Sequence, residues 1–170
     1  MIFENENAFE AACGAVVTEI SALMNEKSAS AAAAESLTGG LISSEIVRVP
    51  GVSSWFAEGC VTYTDGAKMR RLTVSPVTLA QHTAVSRETA REMAEGMRAS
   101  SGADIAVSAT GLAGPGPDEY GRPAGLVFIG GAAKNGSVTK ELALSGSRLE
   151  IRQQAAYEAL KLMLGLAKTL

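Results

Sequence analysis

The sequence has few of the residues that usually build metal or redox sites. Among its 170 residues are two cysteines, Cys13 and Cys60, and a single histidine, His82. These side chains cannot make a zinc site of the usual Cys and His ligands, and they include no closely spaced ligand pair. A reducing compartment is expected, so the two cysteines do not predict a disulfide. We therefore expect no metal, no disulfide and no organic cofactor.

Basic residues are also in short supply. Lys and Arg number 15 against 18 Asp and Glu, which gives a formal net charge of −3. Nonspecific affinity for nucleic acids comes from clustered Lys and Arg, so we expect no nucleic-acid partner. A small anion could still bind at a local site.

Long apolar runs are missing as well. The N-terminal stretch "MIFENENAFE" carries acidic residues before any apolar segment, unlike a signal peptide. No run approaches the roughly 18 to 20 apolar residues of a membrane-spanning helix. We expect a cytoplasmic protein with no membrane partner, folded as a single domain over residues 1–170.

What the sequence does have is a regular alternation of helical and strand patterns. Apolar spacings of three and four predict amphipathic helices over residues 8–26 and from about Ser147 to Leu166. Short apolar runs predict strands at "SASAAAAES", "EGCVTYT" and "ADIAVSAT". Capping and stop signals predict helices at "LISSEIVRV", at "DGAKMRRL" with Asp65 as cap, at "SPVTLAQH", and from Ser86 to about Ser100.

A hairpin closes the predicted sheet. The segments "GLVFIGGAA" and "SVTKELAL" flank Asn135-Gly136, a strong signal for a tight turn between antiparallel strands. The order of elements predicts a three-layer α/β/α domain with a mixed sheet of about five strands, including this C-terminal hairpin.

Two strand exits are rich in glycine, "ESLTGG" and "SATGLAGPGP". Ligands of open α/β sheets collect beyond the carboxyl ends of the strands, where glycines let backbone N–H groups approach an anion. Neither segment is a P-loop or a GxGxxG motif, so ATP and dinucleotides are not indicated. The two loops together favour a phosphorylated or otherwise anionic ligand, with tight turns alone as the alternative.

Ser36 in the first of these loops has three interpretations. It could cap the following helix, a role for which Thr38 competes, it could be a nucleophile, or it could contact a ligand bound at the glycines. A serine nucleophile needs a base, and the candidates are His82, in a polar turn, and Lys68 in "YTDGAK". Lysine can serve if burial lowers its pKa. The residues alone leave these alternatives open.

Two further side chains could complete a site. Tyr63 could be a core residue or could orient the lysine or the ligand. Arg148, at the start of the last helix, could clamp a phosphate bidentately or be a solvated helix-end residue.

Five segments together carry a family resemblance: "AESLTGG", "PGVSSWFAEGCVTYTDGAK", "AVS", "ATGLAGPGP" and "GSRLEIRQQA". Their order and spacing resemble those of the CinA C-terminal domain family over nearly the whole chain, from about Phe9 to Leu166. The resemblance implies a three-layer α/β/α domain and a homo-oligomer, dimer or higher. We expect the additional N-terminal domain of molybdopterin-binding type found in some members, and the functions tied to it, to be absent.

Characterised members of that family are nicotinamide-nucleotide amidases. They hydrolyse nicotinamide mononucleotide, a small-molecule substrate, to nicotinic acid mononucleotide and ammonia, which recycles pyridine nucleotides. By matching motif the resemblance implies three catalytic residues: Ser36 as nucleophile, Lys68 as base, and Tyr63 close by. It implies substrate binding by Thr38, Gly39, Gly40, Thr110, Gly111 and Arg148. We also expect backbone N–H groups around Thr38 to Gly40 to meet the oxyanion.

The chain departs from the family pattern in four places. Leu37 stands where the first motif commonly has Cys, and Thr64, Asp65 and Gly66 replace the middle of a "YSNxAK" segment. Ser147 replaces the acid of a closing "GDR" motif, and the second loop is lengthened by "PDEYGRP". If the acid orients Arg148, its loss favours the alternative of a ligand-binding or adaptor module without chemistry. The longer loop bears on specificity.

Overall fold

A computed structural model describes residues 2–170; Met1, the first residue of the expected domain, lies outside the described residues. The helices are α1 (Glu6–Glu26), α2 (Leu41–Val47), α3 (Asp65–Leu72), α4 (Pro76–His82), α5 (Arg87–Ser101) and α6 (Arg148–Thr169). The strands are β1 (Ala31–Glu35), β2 (Phe56–Val61), β3 (Ile105–Gly111), β4 (Leu126–Ala133) and β5 (Gly136–Ala143).

Within residues 2–170 the strands form one mixed sheet in the order β2-β1-β3-β4-β5. The β1 strand pairs in parallel with both β2 and β3, whereas β4 is antiparallel to β3 and to β5. The predicted five-stranded mixed sheet with a C-terminal hairpin is confirmed. Because β1, β2 and β3 run in the same direction, the segments that follow them all emerge at one edge of the sheet.

Helices cover both faces of the sheet. Helix α5 packs on β1, β3 and β4 and carries α3 and α4 beside it, while α6 packs on the opposite face together with α1 and α2. The central strand β1 is buried along its whole length. Its four alanines, Ala31 to Ala34, contribute to both cores, which suits a strand covered on both faces.

The larger core lies between the sheet and the layer of α1, α2 and α6. It contains Phe9, Ile20, Met24, Trp55 and Met163 among others. A smaller core under α5 is built around Leu72, Val74, Met93 and Met97. These two cores fix the sheet edge on which the loops after β1, β2 and β3 meet.

The structure corrects some predicted boundaries. Strand β2 ends at Val61, before the end of "EGCVTYT", because the chain turns into α3. The cap of α3 is Thr64 rather than Asp65, since the Thr64 hydroxyl accepts a hydrogen bond from the Ala67 amide at 3.2 Å. Helix α6 continues past Leu166 to Thr169.

The predicted cap of α5 is confirmed. Ser86 caps α5 by accepting from the Thr89 amide. Cys13 and Cys60 are free thiols, and burial raises the pKa of Cys13 to about 12. In residues 2–170, no helix combines the length and apolar character needed to cross a membrane.

Candidate active site

Ser36 and Lys68 are in direct contact at the edge of the sheet where β1 and β2 end. The Lys68 Nζ atom lies 3.1 Å from the Ser36 Oγ atom. Lys68 is 1% exposed, although it belongs to a short, polar helix. The cause is the direction of α3, which turns back over the end of the sheet and carries Lys68 inward. Of the two bases considered from the sequence, the structure brings Lys68 to Ser36.

Three oxygen atoms surround the Lys68 amine. Its Nζ atom also lies 2.9 Å from the carbonyl oxygen of Thr62 and 3.5 Å from that of Tyr63. A lysine ammonium can donate to all three oxygens, whereas a neutral amine can donate to the two carbonyls and accept from the Ser36 hydroxyl through its lone pair. Burial lowers the pKa of Lys68 below its usual 10.5, and the nearby charge of Asp65 opposes this shift.

The loop after β1 is organised by Glu35, whose role the sequence did not reveal. This fully buried carboxylate accepts hydrogen bonds from the amides of Gly40, Ile42 and Ser43 at 2.9, 3.1 and 2.9 Å, and from the Ser43 hydroxyl at 2.7 Å. These amides belong to the start of α2, where backbone N–H groups lack helical partners.

The expected capping role of Thr38 is therefore wrong, and Ser36 does not cap α2 either. The residue preceding α2 is Gly40, with φ of 97°, and it makes no side-chain cap. Glu35, the last residue of β1, accepts hydrogen bonds from the first amides of α2 and so replaces a side-chain cap. The hydroxyl of Thr38 is buried without a hydrogen-bond partner among the described residues. Ser36 is thus left to face Lys68.

In the loop after β1, some backbone amides make hydrogen bonds and others do not. The Gly39 amide donates to the Ser36 carbonyl at 3.1 Å, and the Gly40 amide is held by Glu35. No hydrogen bond within residues 2–170 uses the amides of Leu37 or Thr38. Of the amides expected to meet the oxyanion, those of Gly39 and Gly40 are thus already hydrogen-bonded, whereas that of Thr38 is not, although Thr38 is buried away from the cavity. The oxyanion role of this loop stays a prediction.

Ser36 and Lys68 open onto a cavity of about 200 Å³. Its other lining residues are Leu37, Tyr63, Ala84, Val85, Thr110, Gly111, Ala113 and Arg148. Of the residues expected to bind substrate, Thr110, Gly111 and Arg148 line this cavity, whereas Thr38, Gly39 and Gly40 do not. A role in substrate binding stays a prediction for all six residues.

Thr110 and Gly111, at the end of β3, form one wall of the cavity. The Thr110 hydroxyl donates to the Ala84 carbonyl at 2.7 Å, which ties the strand to the loop before α5. A Cβ atom at Gly111 would lie 2.6 Å from the Leu126 carbonyl oxygen, so any side chain there would displace β4. Gly111 therefore lines the cavity and also lets the backbones of β3 and β4 pack closely.

Arg148 and Tyr63 stand at the rim. The Arg148 guanidinium donates to the Tyr63 hydroxyl at 3.3 Å and to the Gly114 carbonyl. Tyr63 is 60% exposed, and it is its carbonyl, not its hydroxyl, that meets Lys68. A catalytic role for the Tyr63 hydroxyl stays a prediction; what the contacts show is a hydroxyl that orients Arg148.

The serine that replaces the acid of the closing motif has a structural role. Ser147 caps α6, and its amide donates to Glu150 at 2.7 Å in a reciprocal capping box. Arg148 is oriented without an acid at position 147, by Tyr63 and Gly114.

The long glycine- and proline-rich loop borders a second cavity of about 210 Å³, which shares Tyr63, Gly111, Ala113 and Arg148 with the first. Arg122 fastens this loop. It pairs with Asp118 at 2.7 Å and donates to the Thr83 hydroxyl and the Val85 carbonyl, both at 2.9 Å. The added segment is thus pinned beside the site.

His82 is not part of this arrangement. It does not line the cavity, and its Nδ1 atom lies 3.8 Å from Glu88 on the surface. Within residues 2–170, no group of three or more His, Cys, Asp or Glu side chains comes together as metal ligands. The cation available to an anionic ligand at the cavity rim is Arg148.

A further arginine, not predicted from the sequence, contacts the loop that follows β1. Arg152, one helical turn after Arg148, donates from Nε to the Leu37 carbonyl at 3.2 Å and from Nη2 to the Thr38 carbonyl at 2.7 Å. The signal was present, because residues four apart on a helix share a face and Arg148 was already a candidate.

Comparison with solved structures agrees with this architecture. A competence/damage inducible protein from Agrobacterium tumefaciens is 34% identical with a TM-score of 0.85, and the match covers 98% of each chain. A CinA superfamily protein from Escherichia coli is 31% identical with a TM-score of 0.87, covering 91% of this chain and 90% of that one.

Sequence comparison identifies the same group of proteins. A competence-damage inducible protein of Clostridium botulinum is 45% identical over 83% of this chain, and one of Clostridioides difficile is 43% identical over 94%. These matches cover 34% and 36% of the relatives, so the chain spans about a third of their length. The CinA C-terminal domain model matches residues 14–167. The chain therefore belongs to the CinA C-terminal domain family.

Proposed function

We propose that the protein is an amidase that converts nicotinamide mononucleotide to nicotinic acid mononucleotide and ammonia. The single observation that carries the proposal is the 3.1 Å contact between a buried lysine amine and the Ser36 hydroxyl beside a cavity. Burial lowers the pKa of Lys68, and this increases the fraction of neutral amine that can accept a proton.

The first half-reaction forms an acyl-enzyme. The Ser36 oxygen attacks the carboxamide carbon while its proton passes to Lys68 Nζ. The negative charge on the carboxamide oxygen is stabilised by the amides of Leu37 and Thr38, which make no hydrogen bond within residues 2–170. The C–N bond then breaks, and the leaving nitrogen takes the proton from Lys68 and departs as ammonia.

The second half-reaction releases the acid. A water molecule gives a proton to Lys68 and attacks the ester carbon, and Ser36 recovers a proton as the C–O bond breaks. The products are the nucleotide carboxylic acid and the regenerated Ser36 hydroxyl. No step needs a group beyond the protein, the substrate and water.

The residues proposed to recognise the substrate lie at the opening of the cavity. The phosphate of the mononucleotide would lie against Arg148 and the glycine loop that follows β3, because Arg148 borders both cavities. The base end would enter the cavity over Ser36. We further propose that the protein acts as a homo-oligomer.

The direct test is ammonia release from nicotinamide mononucleotide, compared with free nicotinamide and with glutamine. We expect release from the mononucleotide only, because the other two compounds lack the phosphate. Ser36→Ala should abolish release and leave the fold intact, whereas Ser44→Ala, an exposed serine on α2, should not change it.

Two results would reject parts of the proposal. Undiminished turnover by Ser36→Ala would reject the nucleophile. Tight binding of the mononucleotide without ammonia release by the wild-type protein would favour a ligand-binding or adaptor module.

A further inference from the structure

Arg152 holds the loop that follows β1 through two backbone carbonyls. The Nε atom donates to Leu37 and the Nη2 atom to Thr38, so one half-buried guanidinium fixes two consecutive peptide units. The planar fork of arginine suits such a pair of acceptors, and lysine could not reproduce it. Gly39 lies beside Arg152 and adopts φ of 61°, a left-handed conformation that favours glycine.

These contacts determine where the unused amides point. In a trans peptide the C=O and N–H groups point in opposite directions. The Leu37 carbonyl faces Arg152, so the Thr38 amide in the same peptide unit points away from α6. The Thr38 carbonyl also faces Arg152, so the Gly39 amide points away from Arg152 and donates to the Ser36 carbonyl.

The peptide unit between Ser36 and Leu37 is fixed as well, through the Gly39 amide. Because the Ser36 carbonyl accepts from Gly39, the Leu37 amide in that unit points the other way, and Leu37 lines the cavity. Arg152 thus affects the orientation of the Leu37 amide indirectly. It holds the Thr38 carbonyl, and the hydrogen bond from the Gly39 amide to the Ser36 carbonyl then fixes the peptide unit that contains the Leu37 amide. Neither the cavity lining nor the lysine–serine contact includes Arg152 itself.

We propose that Arg152 is a positioning residue that orients the Leu37 and Thr38 amides as an oxyanion hole for Ser36. This inference rests on the proposed amidase function, but its structural half can be tested separately. Arg152 touches neither the nucleophile nor the substrate cavity, and it acts on the reaction through the loop it holds.

The test compares Arg152→Met and Arg152→Lys with a control, Lys161→Met, which removes a half-exposed cation from the same helix. The steady-state constants for ammonia release and the hydrogen exchange of the Gly39 amide are measured for each. Arg152→Met should lower kcat by about 100-fold, the scale of losing one oxyanion donor, and should change KM by less than about threefold. Arg152→Lys keeps the positive charge but loses the planar guanidinium. Its kcat should lie between those of Arg152→Met and the wild-type protein.

Hydrogen exchange gives a readout that does not depend on catalysis. The Gly39 amide should exchange about tenfold faster or more in Arg152→Met, while amides of the sheet stay as in the wild-type protein. The control should match wild type in both measurements. If Arg152→Met does not fold, Arg152→Lys supplies both comparisons.

The outcomes separate the two proposals. Unchanged kcat, a loss confined to KM, or unchanged Gly39 exchange would overturn the role of Arg152. If the wild-type protein releases no ammonia, the proposed function fails, and the exchange data alone decide whether Arg152 orders the loop.

Discussion

Ser36 and Lys68 meet because β1 and β2 are parallel and in a register that pairs Glu35 with Val61. The next residue along β1 is Ser36, and the chain leaving β2 turns through Thr64 into α3, which carries Lys68 back over the strand ends. Their side-chain atoms lie 3.1 Å apart across 32 residues of sequence. The reactivity of Ser36 is thereby coupled to the protonation of a buried amine.

This coupling predicts the pH dependence of the reaction. Only neutral Lys68 can take the serine proton, so kcat/KM should rise with pH and level off below pH 10.5, because burial lowers the lysine pKa. Lys68→Arg, which stays protonated, should be inactive at every pH tested. A pH–rate profile of both proteins checks this, and a flat wild-type profile would contradict it.

The same shift makes stability depend on pH. Between the lowered pKa of folded Lys68 and 10.5 the unfolded chain binds more protons, so the free energy of unfolding should increase with pH over that window. Lys68→Met removes this group, and its unfolding free energy should lose that increase. Denaturant titrations at several pH values measure the effect; equal pH slopes in the two proteins would argue against it.

Arg148 is expected to govern substrate affinity. Arg148→Gln should raise KM for nicotinamide mononucleotide by about 10- to 100-fold, the range of a lost charge-assisted hydrogen bond, with a smaller change in kcat. Initial-rate kinetics measure this. The matched control is Arg91→Gln, an exposed arginine on α5. An unchanged KM in Arg148→Gln would place the phosphate elsewhere.

Glu35 is expected to stabilise the loop rather than to react. Glu35→Gln replaces an acceptor of four hydrogen bonds with a group that is partly a donor, which should reduce the free energy of unfolding by about 3 kcal/mol. Glu58→Gln, whose pair with Arg71 lies at the 4.0 Å limit of contact on the surface, should cost little. Denaturant unfolding compares the two, and equal stabilities would disprove the role of Glu35.

His82 offers a test against a different chemistry. Its imidazole faces Glu88 outside the cavity, so His82→Ala should keep kcat/KM within about twofold of wild type. A large loss in His82→Ala would revive a histidine-based serine hydrolase. The measurement is the same ammonia assay.

The sequence predicted the fold because its signals are local. The apolar run of β1, the cap at Ser86 and the turn at Asn135-Gly136 each report on neighbouring residues, and their order implies the sheet. The burial of Lys68 could not be predicted that way, since it depends on how α3 lies against the end of β1. Capping by Glu35 was missed for a similar reason: the carboxylate lies before the loop and reaches over it to amides up to eight residues ahead.

In the proposed amidase, the reacting groups and most of the residues around the second glycine loop come from different stretches of this chain. The proposed nucleophile, its proposed base and the amides beside it all lie between Ala31 and Leu72, within one β-α-β-α unit. The second glycine loop, the pinned insertion and Arg148 come from residues 110 to 148. Mutations in the later segment can alter which molecule is accepted while leaving the reacting atoms untouched. Under this proposal, a longer loop such as "PDEYGRP" could change the accepted substrate without changing the reacting groups.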